Sequence, residues 1–113
     1  QGIAWAQYNL GFAYANGDGI AENDVEAVKW YRKAAEQGFA IAQFKLGLMY
    51  EKGDGVVQNY VLAHMWLNLV RAQGSDDEGK NMKILVKKMT KEDISKAEKM
   101  ASEWQAKHSG GGQ

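Results

Sequence analysis

The amino-acid sequence predicts an all-α fold, a short solenoid of helix-turn-helix units, and three observations lead there. Shifting the chain by 36 places aligns residues 6–38 with 42–74, and 14 of those 33 pairs are identical. A self-similarity of that period is what repeat architectures leave in a sequence. Within each unit the apolar residues recur at helical spacing between glycines. Proline is absent and strand-type clusters of Val, Ile and Thr are few, so nothing in the 113 residues interrupts helices or favours a sheet.

The identical pairs are Ala6 and Ala42, Gln7 and Gln43, Leu10 and Leu46, Gly11 and Gly47, Tyr14 and Tyr50, then Gly17-Asp18-Gly19 with Gly53-Asp54-Gly55. Asn23 and Asn59, Val25 and Val61, Ala27 and Ala63, Trp30 and Trp66, and Gln37-Gly38 and Gln73-Gly74 complete them. The first helix is expected over 3–16, where Tyr8, Leu10, Phe12 and Tyr14 sit among alanines and Gly17 supplies the left-handed stop. Gly17-Asp18-Gly19 is a turn by residue type. Asn23, with Glu26 three places on, opens the second helix as N-cap and reciprocal partner. That helix is expected over 24–37, burying Ala27, Trp30, Tyr31, Ala34 and Ala35 and turning Lys29, Arg32, Lys33 and Glu36 to water. The second unit repeats the scheme over 40–52 and 60–73.

Gly11 and Gly47 stand inside helices, where glycine costs about 1 kcal/mol relative to alanine, so a close helix crossing is expected at both. The ring of Trp30 or Trp66 is the expected neighbour. Beyond Gly74 the repeat fades, and helices are expected over 76–89 and 91–107. Asp76, Asp77 and Glu78 open the first and Lys87 and Lys88 close it; Glu92 and Asp93 open the second and Lys107 and His108 close it, as the helix dipole favours. Thr90 with Asp93 forms a capping box in which Asp replaces Glu. Ile94, Ala97, Met100, Ala101 and Trp104 make one apolar stripe, and such one-sided burial suits a terminal cap. The organisation read from this is two repeats, 3–38 and 39–74 within 1–74, a capping helix pair over 75–108, and a flexible tail over 109–113.

Lys plus Arg and Asp plus Glu both number 14, so the formal net charge is zero and no general attraction for nucleic acid is expected. Lys80, Lys83, Lys87, Lys88, Lys91, Lys96 and Lys99 make the last third locally basic, but acidic residues are interspersed and no stacking aromatics lie among them. Without cysteine there are no disulfides or thiolate metal sites. No apolar run approaches the roughly 18 residues of a membrane span, so no membrane insertion is expected. The chain reads as soluble, and export or a periplasmic home is compatible with it. Gln1 leads almost directly into a helical pattern, and the expectation is that a signal peptide or further repeats precede it.

No residue constellation for catalysis or a cofactor is evident. The Gly-Asp-Gly turns lack the alternating ligands and closing Glu of a calcium loop. His64 and His108 have no second His or Cys at ligand spacing. Asp76, Asp77 and Glu78 are consecutive and point different ways on a helix. Ser75, Ser95, Ser102 and Ser109 occupy no nucleophile motif.

The strings AQYNLGFAYANGDGI, residues 6–20, AVKWYRKAAEQG, residues 27–38, and AQFKLGLMYEKGDGV, residues 42–56, closely resemble the Sel-one-like repeat (SLR), a relative of the tetratricopeptide repeat. YVLAHMWLNL, residues 60–69, and KKMTKEDISKAEKMASEW, residues 87–104, are similar to the carboxyl-terminal cap of bacterial members. The resemblance implies a right-handed superhelix of antiparallel helix pairs and a non-catalytic adaptor for a protein or peptide partner. A non-catalytic subunit or regulator of an enzyme is the alternative, with a hydrolase or a nucleic-acid binder behind it. Two departures stand out: the lack of cysteine separates the chain from the disulfide-stapled secreted members, and Val70-Arg71 replaces the Ala34-Ala35 of the first unit.

In tetratricopeptide-like folds the first helix of each pair lines the concave surface. Carried through the Leu-Gly-x-x-Tyr frame, this implies partner-binding positions at Trp5, Tyr8, Phe12 and Asn16, and at Ile41, Phe44, Leu48 and Lys52. Two competing readings stand beside it. The rings fill space between repeats, or Trp5 covers a surface that belongs to an upstream repeat.

Overall fold

The computed structural model describes residues 2–74 and 79–110, with the side chains of residues 79, 109 and 110 left aside. Six helices follow in order: α1 (Gly2–Asn16), α2 (Asp24–Ala35), α3 (Ala40–Lys52), α4 (Tyr60–Ala72), α5 (Gly79–Val86) and α6 (Lys91–Gly110). Among the described residues there is no strand.

The caps explain why the helices start where they do. Asn23 has an extended backbone, and its Oδ1 accepts the Glu26 N–H at 3.1 Å; Asn59 repeats this with the Leu62 N–H at 3.0 Å. Each side chain thereby satisfies a first-turn donor that has no partner inside its helix. Thr90 Oγ1 accepts the Asp93 N–H at 3.0 Å, as the capping-box reading required of it. At the other end of α3, Gly53 takes the left-handed conformation at φ 77° and its N–H reaches the Met49 carbonyl at 2.8 Å.

Three helix ends differ from expectation by two residues or more. α2 stops at Ala35 and leaves Glu36 to Gly38 as a turn closed by Gly38 N–H donating to the Ala35 carbonyl at 2.9 Å. α5 ends at Val86, so Lys87 and Lys88 follow the helix rather than close it from within. The expected acidic opening, Asp76 to Glu78, lies outside the described residues. α6 continues to Gly110, into the stretch expected to be tail; residues 111–113 lie outside the described residues.

Packing runs pairwise along the chain: α1 on α2, α2 on α3, α3 on α4, and then both α5 and α6 on α4. The core is Ala27, Val28, Tyr31, Ala34 and Ala35 of α2, Ala42, Leu46 and Tyr50 of α3, and Ala63 with Met65, Trp66, Leu67 and Leu69 of α4. Met82, Leu85 and Ala101 continue it into the cap. Lys29, Arg32, Lys33 and Glu36 face water as expected, but Trp30 is only half-buried, and Val28 takes a place in the core instead. The Lys33 ammonium sits over the Trp30 ring, 4.6 Å from its centre.

Both internal glycines lie at close crossings, with neighbours one residue past the expected tryptophans. A Cβ on Gly11 would stand 2.8 Å from Tyr31 Cδ1 and 3.2 Å from the Ala27 carbonyl oxygen. One on Gly47 would stand 3.2 Å from Leu67 Cδ2 and 3.3 Å from the Ala63 carbonyl oxygen. A one-residue step turns a helix position by about 100°, which carries Tyr31 and Leu67, rather than Trp30 and Trp66, onto the bare backbone. Trp66 instead packs edge-on against Trp104 of α6, ring centres 5.9 Å apart.

Candidate partner-binding face

α1 and α3 end at equivalent positions, Asn16 and Lys52, and their outward sides can be compared position by position. Trp5 is 47% exposed and its counterpart Ile41 is 45% exposed. Tyr8 and Phe44 are both half-buried, and Asn16 and Lys52 are both exposed. Phe12 is 39% exposed, while Leu48 is half-buried. These eight positions therefore keep nearly the same accessibility in both repeats, although among the described residues a helix pair, α1 and α2, precedes α3 and none precedes α1.

The rings of α1 form a continuous cluster. Trp5 and Tyr8 lie 5.9 Å apart edge to face, Tyr8 and Phe12 6.1 Å apart, and Phe39 stands 5.2 Å from Trp5 and 5.7 Å from Tyr8. Tyr8 also leans on the buried Tyr31, at 5.6 Å. Burial raises both phenols, Tyr31 to about 12 with the neighbouring Tyr8 adding to it, so neither titrates under ordinary conditions. Tyr8 and Phe44 pack against the core, so the reading that the rings fill space has partial support at these two positions. Trp5, Phe12 and Ile41 present more than a third of their surface to solvent.

Asn16, Leu48 and Lys52 meet in one surface cavity of about 300 Å³, which Glu22, Asp24, Lys45 and Asp54 also line. No ion pair joins these charged side chains among the described residues. The face thus runs from an aromatic end at Trp5 to a polar end of both charge signs.

Two features escaped the sequence reading. Glu36 Oε1 accepts the Trp104 indole N–H at 3.2 Å and lies 3.4 Å from His108 Nε2, while the His108 ring stacks on Trp104 at 3.6 Å. These residues, with Gln37, Gly38 and Gln105, line a cavity of about 640 Å³ where α6 passes the end of α2. Only the Trp104 position on the α6 stripe hinted at it. The second is His64, 4% exposed on α4, whose Nδ1 has no hydrogen-bond partner. Burial lowers its pKa from the usual 6.5, opposed by Glu98 and reinforced by Arg71.

A base whose pKa is depressed in the folded state contributes stability above its unfolded pKa, and that contribution is lost as the pH falls. The thermal midpoint should therefore drop as the pH is lowered from 7.5 to 5. The drop should be smaller in His64→Leu, which keeps the site filled and removes the titration. Parallel midpoint curves for the two proteins would contradict a neutral buried imidazole.

Among the described residues no group of three His, Cys, Asp or Glu side chains could hold a metal ion, and no helix is long and apolar enough to cross a membrane. The Sel1 repeat family model matches the chain twice, over residues 6–39 and 40–75. The crystal structure of c5321, a protective antigen of uropathogenic Escherichia coli with an SLR fold, is 36% identical and superposes with a TM-score of 0.87. That match covers 93% of this chain and 23% of the antigen. A Sel1 repeat protein from Oxalobacter formigenes is 40% identical with a TM-score of 0.70, over 73% of this chain and 62% of that one. The chain thus spans less than two thirds of either relative. No curated protein matches the sequence. Two matched repeats that together cover residues 6–75, on the same helical architecture as two Sel1-repeat structures, place the chain in the Sel1-repeat family.

Proposed function

We propose that this chain is a non-catalytic interaction module that holds a protein or peptide segment along the face formed by Trp5, Tyr8, Phe12 and Asn16 with Ile41, Phe44, Leu48 and Lys52. Sel1 repeats are in general protein-interaction modules. The observation that carries the reading is the matched exposure of Trp5 and Ile41. Ile41 remains 45% exposed with a helix pair already stacked before it, so stacking does not account for the exposure of Trp5. Large apolar groups held at a surface are typical anchors for a peptide or helix. The polar cavity at Asn16 and Lys52 adds selectivity at the other end, where a partner's charged or hydrogen-bonding groups would meet Glu22, Lys45 and Asp54.

Trp5 and Phe12 are the cleanest positions for a test, because Tyr8 also supports Tyr31. Changing Trp5 and Phe12 together to Ser should weaken capture of the native partner from the source cell, identified by mass spectrometry, by at least about tenfold, the loss of a single hot spot. The melting curve should move little. Unimpaired capture would place the binding face elsewhere, and loss of folding would assign the two rings to the core.

A further inference from the structure

The repeat frame does not explain the placement of Glu36. It caps the carboxyl end of α2, where the helix dipole disfavours a negative charge, and the equivalent sequence position in the second repeat is Ala72. Among the described residues no lysine or arginine pairs with it, although its side chain is 49% exposed. Oε1 is engaged by the Trp104 indole N–H and lies near His108 Nε2, whereas Oε2 has no partner among the described residues. Fastening α6 to α2 accounts for Oε1 only. The cavity of about 640 Å³ beside Glu36 has the size of a small-molecule site, and among the described residues its lining adds no second carboxylate, lysine or arginine. An adjoining cavity of about 280 Å³ shares Glu36, Trp104 and His108, adds the thioethers of Met65 and Met100, and carries Glu103 and Lys107, whose charges cancel.

Both cavities therefore meet at one acid and one stacked pair of rings, the His108 imidazole lying at 14° to the Trp104 indole. α2 and α6 both end here, so the carbonyl ends of two helices add to the negative potential of Glu36. We propose that the larger cavity is a binding site for a guanidinium cation, carried by a small molecule or by an arginine side chain of another polypeptide. The planar cation lies along the stacked rings and directs its N–H groups at Glu36 Oε2. That combination of aromatic stack and carboxylate suits a guanidinium better than the compact, strongly hydrated ammonium of lysine. Trp104 holds the carboxylate through Oε1, so the acid is oriented before the cation arrives. None of the eight residues of the proposed partner-binding face lines this cavity, and the site stands without that face.

The test follows the Trp104 indole N–H signal, assigned through Trp104→Phe, in a proton–nitrogen NMR correlation spectrum while n-butylguanidinium is added. The signal should move saturably, with half-saturation at about 1 to 10 mM, the range expected of so small a ligand. The neutral isostere n-butylurea should leave it in place. Glu36→Gln keeps an oxygen for the Trp104 N–H and removes the charge, so it should weaken n-butylguanidinium by at least about tenfold while the melting midpoint stays within a degree or so of the parent. A capped Gly-Gly-Arg-Gly-Gly peptide that binds at least about tenfold tighter than n-butylguanidinium would support the site and assign the cation to a polypeptide. Equal or weaker binding of the peptide would support it as a small-molecule site. Absence of a saturable shift, an equal response to n-butylurea, or binding that survives Glu36→Gln would overturn the proposal.

Discussion

Gly55→Ala is expected to destabilise the protein by roughly 2 to 5 kcal/mol, the sum of a left-handed backbone penalty and an overpacked contact. Gly55 has φ 74°, and its new Cβ would fall 2.4 Å from the Asp24 carbonyl oxygen and 2.6 Å from the carbonyl carbon. The obstacle is backbone in the first turn of α2, held by the Asn23 cap, so no side-chain rotation relieves it. Gly19 has nearly the same backbone, φ 77°, with nothing near its Cβ position. Gly19→Ala should therefore cost only the conformational part, about 1 to 2 kcal/mol. Urea denaturation of the pair separates backbone from packing. Equal losses would mean that the second Gly-Asp-Gly turn does not press on α2.

Leu at Gly11 or at Gly47 is the second large effect. Each change recovers about 1 kcal/mol of helix propensity but drives a side chain into a crossing that has no room for it. Tyr31, the neighbour of Gly11, is 1% exposed, and Leu67, the neighbour of Gly47, is fully buried, so each must displace further core residues to yield. A net loss of about 1 to 3 kcal/mol is expected for either variant. Lys29→Leu, on the exposed side of α2, should stay within about 0.5 kcal/mol of the parent. The same melting midpoint for all three variants would remove the packing role of the glycines.

These positions also mark how far the sequence could be read. Gly11 and Gly47 announce a close crossing because an unfavourable residue recurs at one place in both repeats, and Asn23 and Asn59 announce helix starts through side-chain chemistry that acts within one turn. Both signals are local. The identity of the crossing residue is not, since Trp30 and Tyr31 differ by one position, and only the relative rotation of two packed helices decides between them. The docking of α6 on α4, which brings together Trp66 and Trp104, and the reach of Trp104 and His108 to Glu36 are contacts between residues some 40 and some 70 apart, without a repeat to fix their register. Likewise His64 looks polar in the sequence, and is buried because α4 is covered by α3 on one side and the cap on the other. The eight face positions were reached through the repeat frame, and their matched exposure in both repeats is a property that no single copy could reveal.

Photo-cross-linking tests the central claim most directly. A photoreactive amino acid placed at Phe12 or Leu48 should cross-link to the native partner, and one placed at Lys29 or Lys83, exposed on α2 and α5, should not. Cross-links from Lys29 or Lys83 with none from Phe12 or Leu48 would contradict the assignment of the partner to the face that runs from Trp5 to Lys52.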